Sequence, residues 1–158
     1  MLTRFDDYPI HQTPEPVAHP VSADRNVYDR YWFNGYTADA SLYFGVALGL
    51  YPNRSVMDCA FSVVRDGVQH TFFASRRAPV ERDELSAGPF RIEILEPMQT
   101  LRVTLGPNDT GLTCALTFTA RTQPIEEDRQ ILKRDDRVFM DVTRFTQFGR
   151  WEGSIGID

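Results

Sequence analysis

Leu112-Thr113-Cys114-Ala115-Leu116-Thr117-Phe118-Thr119-Ala120 decides the fold class. Leu112, Cys114, Leu116 and Phe118 fall on one side of an extended chain, and Thr113, Thr117 and Thr119 on the other. Successive side chains of a strand point to opposite faces, so this is the pattern of a half-buried strand. Neighbouring segments repeat it. Leu101, Val103 and Leu105 alternate with Arg102 and Thr104; Phe90, Ile92 and Ile94 with Arg91 and Glu93; Met57, Cys59, Phe61 and Val63 with Asp58, Ala60 and Ser62. Arg65-Asp66-Gly67 links the runs 56–65 and 68–75, and an Asp-Gly pair is a strong hairpin signal. Pro97-Met98 and the stretch 106–111 punctuate the following runs.

Further runs at 138–148 and 151–157 bring the expectation to about eight to nine strands. An antiparallel meander of this kind buries one face of each strand, as a lipocalin-like barrel or a sandwich. Residues 121–137 are charged and lack period two. They read as a long connection inside the domain, with a short helical turn at 125–132. Residues 1–27 carry Pro9, Pro14, Pro16 and Pro20 and read as an extended arm, lying on the domain or partly disordered, ahead of a single β domain at 28–158.

Composition narrows the function classes. The 158 residues carry a formal net charge of −5, which argues against a nucleic-acid partner. Sixteen arginines stand against the single Lys133, which reads as scattered surface charge. Cys59 and Cys114 lie in apolar runs and read as free buried thiols. The charged start of the chain lacks a secretory apolar region, and no run approaches the ~18 apolar residues of a membrane span. Both observations point to a cytoplasmic protein without a membrane span.

The segment 28–51 is the most informative for function. With a four-residue loop at 37–40, Tyr36 pairs with Ser41, Asn34 with Tyr43, Trp32 with Gly45 and Arg30 with Ala47. One face then holds Tyr31, Phe33, Leu42, Phe44, Val46, Leu48 and Leu50 and belongs to the core. The other presents Arg30, Trp32, Asn34, Tyr36 and Tyr43 beside the small residues Gly45, Ala47 and Gly49. Large rings bordering a gap suit a pocket for an apolar or amphipathic small molecule. Aromatics and Arg are also interface anchors, so the same face suits docking of a second domain or subunit. Strand glycines can also serve curvature alone.

Tyr31-Trp32-Phe33-Asn34-Gly35, the short polar loop and Leu42-Tyr43-Phe44-Gly45-Val46 resemble the N-terminal signature of the lipocalin-like carotenoid 1,2-hydratase (hydroxyneurosporene synthase) and AttH superfamily. Some 25 residues carry the resemblance, with Tyr31 then Trp32 where the family usually has Trp then Tyr, and Arg30 in place of an aromatic. The resemblance implies a lipocalin-like half that helps to enclose a lipid or isoprenoid-like molecule. It also implies, for any reaction, a hydratase or cyclase-like lyase whose catalytic acids lie in a second half. No catalytic residue is therefore carried over. The final strand, ending at Asp158, reads as half of a hairpin, as in a longer protein or one partner of an assembly.

No nucleophile elbow, phosphate loop, dinucleotide fingerprint or zinc spacing occurs. Neither a cofactor nor a metal is expected. His11 and His19 read as solvated loop histidines, Asp58 as an outward carboxylate and His70 as a core histidine. Asp141 is a weak acid candidate and Arg144 a candidate for a carboxylate.

Overall fold

The computed structural model describes residues 1–158 and is an all-β antiparallel sandwich of two open sheets. The first sheet is a meander of β1 (Asp29–Tyr36), β2 (Leu42–Tyr51), β3 (Val56–Arg65) and β4 (Val68–Arg77). The second contains β5 (Ser86–Ala87), β6 (Phe90–Glu96), β7 (Thr100–Leu105) and β8 (Leu112–Ala120), with β13 (Gly149–Ile157) on the far side of β8. No ladder joins the two sheets, so the barrel alternative is not formed.

Alternation along each strand builds the core. Val46, Leu48, Met57, Phe61 and Val63 of the first sheet meet Phe90, Ile92, Val103, Leu105 and Leu112 of the second in one buried cluster. Every one of these side chains is at most 2 % exposed, so the interior is filled by the protein itself. One lateral edge is closed by Trp151 on β13. Its ring packs against Phe33, Phe44 and Phe118 at centroid distances of 5.9, 5.4 and 5.2 Å. Its indole N–H donates to the carbonyl of Asn34 on β1 at 3.1 Å.

The β1–β2 register differs from the sequence expectation by two residues. Tyr36 pairs with Tyr43, Asn34 with Gly45, Trp32 with Ala47 and Arg30 with Gly49. The loop is wider because Thr37 bridges it. Thr37 N–H donates to the Leu42 carbonyl at 3.0 Å, and Leu42 N–H donates to Thr37 Oγ1 at 3.1 Å. Ala40 absorbs the turn at φ 57°. A shift of two keeps every side chain on its face, so the division into core and outer residues stands.

The expected helical turn at 125–132 is instead strand. β8 and β13 continue past the sandwich as a two-stranded ribbon through β9 (Ile125–Glu126), β10 (Gln130–Arg134), β11 (Arg137–Val142) and β12 (Phe145–Thr146). Asp135 and Asp136, at φ 50° and 63°, turn its tip, as two positive-φ residues do in a tight hairpin. Counting these short pieces gives thirteen strands rather than nine.

The N-terminal arm is ordered against the opposite end. Asp6 accepts from Thr3 N–H at 2.7 Å, Val17 N–H at 2.8 Å and His11 Nε2 at 2.7 Å. Arg82 donates to the carbonyls of Val17 and Ala18. The bonds from Thr3 and Val17, then His11, hold the Asp6 carboxyl below its ordinary range.

Phe61→Ala empties a fully buried site and costs about 3–5 kcal/mol in urea unfolding. Val68→Ala, at the start of the neighbouring strand and 54 % exposed, stays within about 0.5 kcal/mol. For the arm, a carboxyl with depressed pKa stabilises the folded form above its unfolded value of about 3.9 and loses that contribution as the pH falls below it. Proteolysis of residues 1–20 therefore accelerates in acid below about pH 4 in the native chain. In Asp6→Asn it is already faster at neutral pH and loses this acid dependence.

Candidate functional site

The outer face of the first sheet gathers all five sequence-predicted site residues. Arg30, Trp32, Asn34 and Tyr36 point outward from β1, and Tyr43 from β2. Burying Tyr31, Phe33 and Phe44 leaves no other side for them. They line an open sheet surface, not the inside of a barrel. Trp32 is 57 % and Tyr36 74 % exposed.

The expected gap at the strand glycines is occupied. The Trp32 indole lies over Gly45, its Cη2 only 3.5 Å from where a β-carbon would stand. Tyr51 and Asp58 lie over Gly49, where a β-carbon would meet the Tyr51 ring at 2.8 Å and Asp58 Oδ1 at 2.9 Å. The glycines therefore let two rings lie down on the sheet. Tyr51 in turn packs against Tyr28, tilted by 39° at a centroid distance of 5.8 Å, and the Arg30 guanidinium stands 5.8 Å from the Tyr28 ring centroid.

The open space lies one strand further across. A shallow depression of about 500 Å³ is lined by Ala47, Asp58, Cys59, Ala60, Phe73, Ala74 and Ser75. Trp32, Ala47, Ala60 and Phe73 form one continuous cross-strand row, a ring at each end and two alanines between. Phe73 was not among the expected site residues. Its signal was present in the pair Phe72-Phe73, because adjacent strand residues cannot share a face and Phe72 is the buried one.

The two outer faces of the sandwich differ in chemistry. On the first sheet, only Arg30, Asp58 and Arg77 are charged among the outward residues of β1–β4, while Trp32, Tyr36, Tyr43, Tyr51 and Phe73 are aromatic. The second sheet presents Arg91, Glu93, Arg102, Arg150 and Glu152 with threonines and no aromatic ring. The second is an ordinary solvated surface. Depletion of charge with enrichment in aromatics is the composition of an interface centre.

The remaining sequence candidates are placed elsewhere. Asp58 is exposed on this outer face, and His70 is half-buried on the inner face, paired with Val63. Asp141 accepts both nitrogens of Arg129 at 2.6 and 2.5 Å on the ribbon, which lowers its pKa. Arg144 is engaged by Glu127 at 2.6 Å. His19 Nε2 sits 3.1 Å from the N-terminal ammonium, and no three His, Cys, Asp or Glu side chains gather as a metal site. Both cysteines are free and buried. Burial pushes the Cys59 thiol up to about 11 and that of Cys114 up to about 12. No helix is long and apolar enough to cross a membrane.

These features define an all-β sandwich with a filled interior and one exposed aromatic sheet face. The chain belongs to the family of unknown function DUF8625, which it matches over residues 2–158. Comparisons with curated proteins and with solved structures find no match.

The thiols supply a check on the filled interior. Neutral, buried thiols are poor nucleophiles, so both cysteines are expected to react with a thiol reagent at neutral pH only as fast as the chain unfolds. Fast labelling of either in the folded chain contradicts this packing.

Proposed function

We propose that this protein is a non-catalytic interaction module whose outer first-sheet face is the docking surface. The contrast between the two outer faces carries this reading: one is aromatic and charge-poor, the other charged and ring-free. Trp32 and Phe73 would be the anchors, and Ala47 and Ala60 between them the floor into which a partner's side chains fit. The ion pairs of Asp141 and Arg144 and the raised thiol pKa values leave none of these groups activated for chemistry.

A second reading takes the same row as a site for an apolar or amphipathic small molecule. The 500 Å³ depression beside Phe73 favours it, and the resemblance to the carotenoid hydratase and AttH superfamily supplies the ligand class, a lipid or isoprenoid. Such a ligand would lie on the open face, since the interior is filled.

Native mass spectrometry of the freshly purified chain and of Trp32→Ala/Phe73→Ala tests both. The docking reading predicts an assembly in the parent chain and a bare monomer in the variant. A monomer carrying extra mass, lost in the variant and on denaturation, selects the small molecule. Bare monomers in both, or an assembly unchanged by the variant, overturn the assignment of this face.

A further inference from the structure

We infer that the partner on this face is a second copy of the chain, which lays its β-ribbon, residues 121–148, across the Trp32–Phe73 row. The inference rests on the docking reading above and names its occupant.

The ribbon calls for a cover. None of its residues is buried, and Phe139, Phe145 and Phe148 are 65, 53 and 62 % exposed. Ile131 and Val138 add aliphatic surface, each about half exposed, and Leu132, paired with Met140, lies on the side opposite Ile131. An isolated two-stranded ribbon is marginal in water and gains independent stability by packing its apolar side on another surface. Its own first sheet does not cover it, because Trp32, Tyr36 and Phe73 remain exposed. The chain thus has two uncovered apolar surfaces and no contact that satisfies either.

Shape and charge match the two. β1 and β4 lie three strand spacings apart, ~14 Å, and a ribbon with strands ~5 Å apart fits between the Trp32 and Phe73 walls. The ribbon reaches up to ~45 Å from Arg121 to its Asp135 tip, more than the ~30 Å length of the face. Large side chains on the ribbon meet the alanines Ala47 and Ala60 on the floor, the interdigitation that close face-to-face packing requires. The ribbon carries six basic and six acidic residues, so the formal −5 of the chain lies wholly on the body. A neutral ribbon approaches a second acidic body without like-charge repulsion.

Reciprocal exchange about a two-fold axis covers both ribbons and both faces. Half-exposed rings of ~150–250 Å² each, on four such surfaces, clear the ~1,200 Å² of a standard interface.

Sedimentation and native mass spectrometry on three proteins test this. They are the parent chain, a ribbon variant Phe139→Glu/Phe145→Glu, and the face variant Trp32→Ala/Phe73→Ala. Phe139→Ala/Phe145→Ala is the milder ribbon pair if circular dichroism shows loss of fold. The parent is expected to be a dimer above ~10 µM, with each variant weakened at least ~30-fold. An equal mixture of the two variants restores a heterodimer, because one intact ribbon still meets one intact face. Loss of the dimer in the face variant alone overturns the ribbon as occupant but keeps the docking face. Loss in the ribbon variant alone overturns both. A parent that stays monomeric, or a mixture without heterodimer, overturns the exchange.

Discussion

The structure depends on face-to-face burial of two sheets whose side chains can serve only one side each. Phe61, Val63 and Phe72 of the first sheet meet Phe90, Ile92 and Val103 of the second in one cluster of buried apolar side chains. Burying these residues commits every alternate position on β1–β4 to the outside. Trp32, Tyr43 and Phe73 are outward because Phe33, Phe44 and Phe72 are inward. The aromatic outer face is thus a consequence of register. Its aromatic composition, in place of the threonines and charges of the opposite sheet, is what calls for a functional explanation.

The interior offers no room for that function. A lipocalin-like cavity needs a closed barrel with small or retracted side chains inside. Here the sheets stay open to one another only along their edges, and Trp151 seals one edge by packing on Phe33 and Phe44. A chemistry-bearing group must also be free to act. Asp141 and Arg144, the two ribbon candidates, are held in the pairs Arg129–Asp141 and Arg144–Glu127, and burial raises the thiol pKa of Cys59. On the reading proposed above, the partner meets the aromatic outer face of the first sheet, where Trp32, Tyr36 and Phe73 are exposed.

Much of this was legible in the sequence. The core and outer faces of the β1–β2 hairpin were readable even though the loop was taken as too short, because the error was even and period two is blind to it. The Asp66-Gly67 turn was readable from its dipeptide. The ribbon was not. Its strands bury neither face against the body, so no alternation of apolar and charged residues marks them. Arg129, Asp141, Glu127 and Arg144 instead pair across the strands, a pattern that looks in sequence like a charged loop. Trp151 was also hidden, since its role is to bridge two sheet edges 117 positions apart in the chain, between Asn34 and itself. The glycine gap was misjudged for a related reason: the rings that fill it come from other positions on the same face.

The most direct test of docking at this face uses the chain's two tryptophans. Trp151→Phe keeps an aromatic ring at the sheet edge and leaves Trp32 as the sole indole. Its fluorescence and acrylamide quenching are then followed as the protein is concentrated. Coverage by a second copy predicts a blue shift of Trp32 emission and a fall in quenching, both reversed by dilution. Emission that stays at the water-exposed wavelength, with full quenching at every concentration, contradicts it.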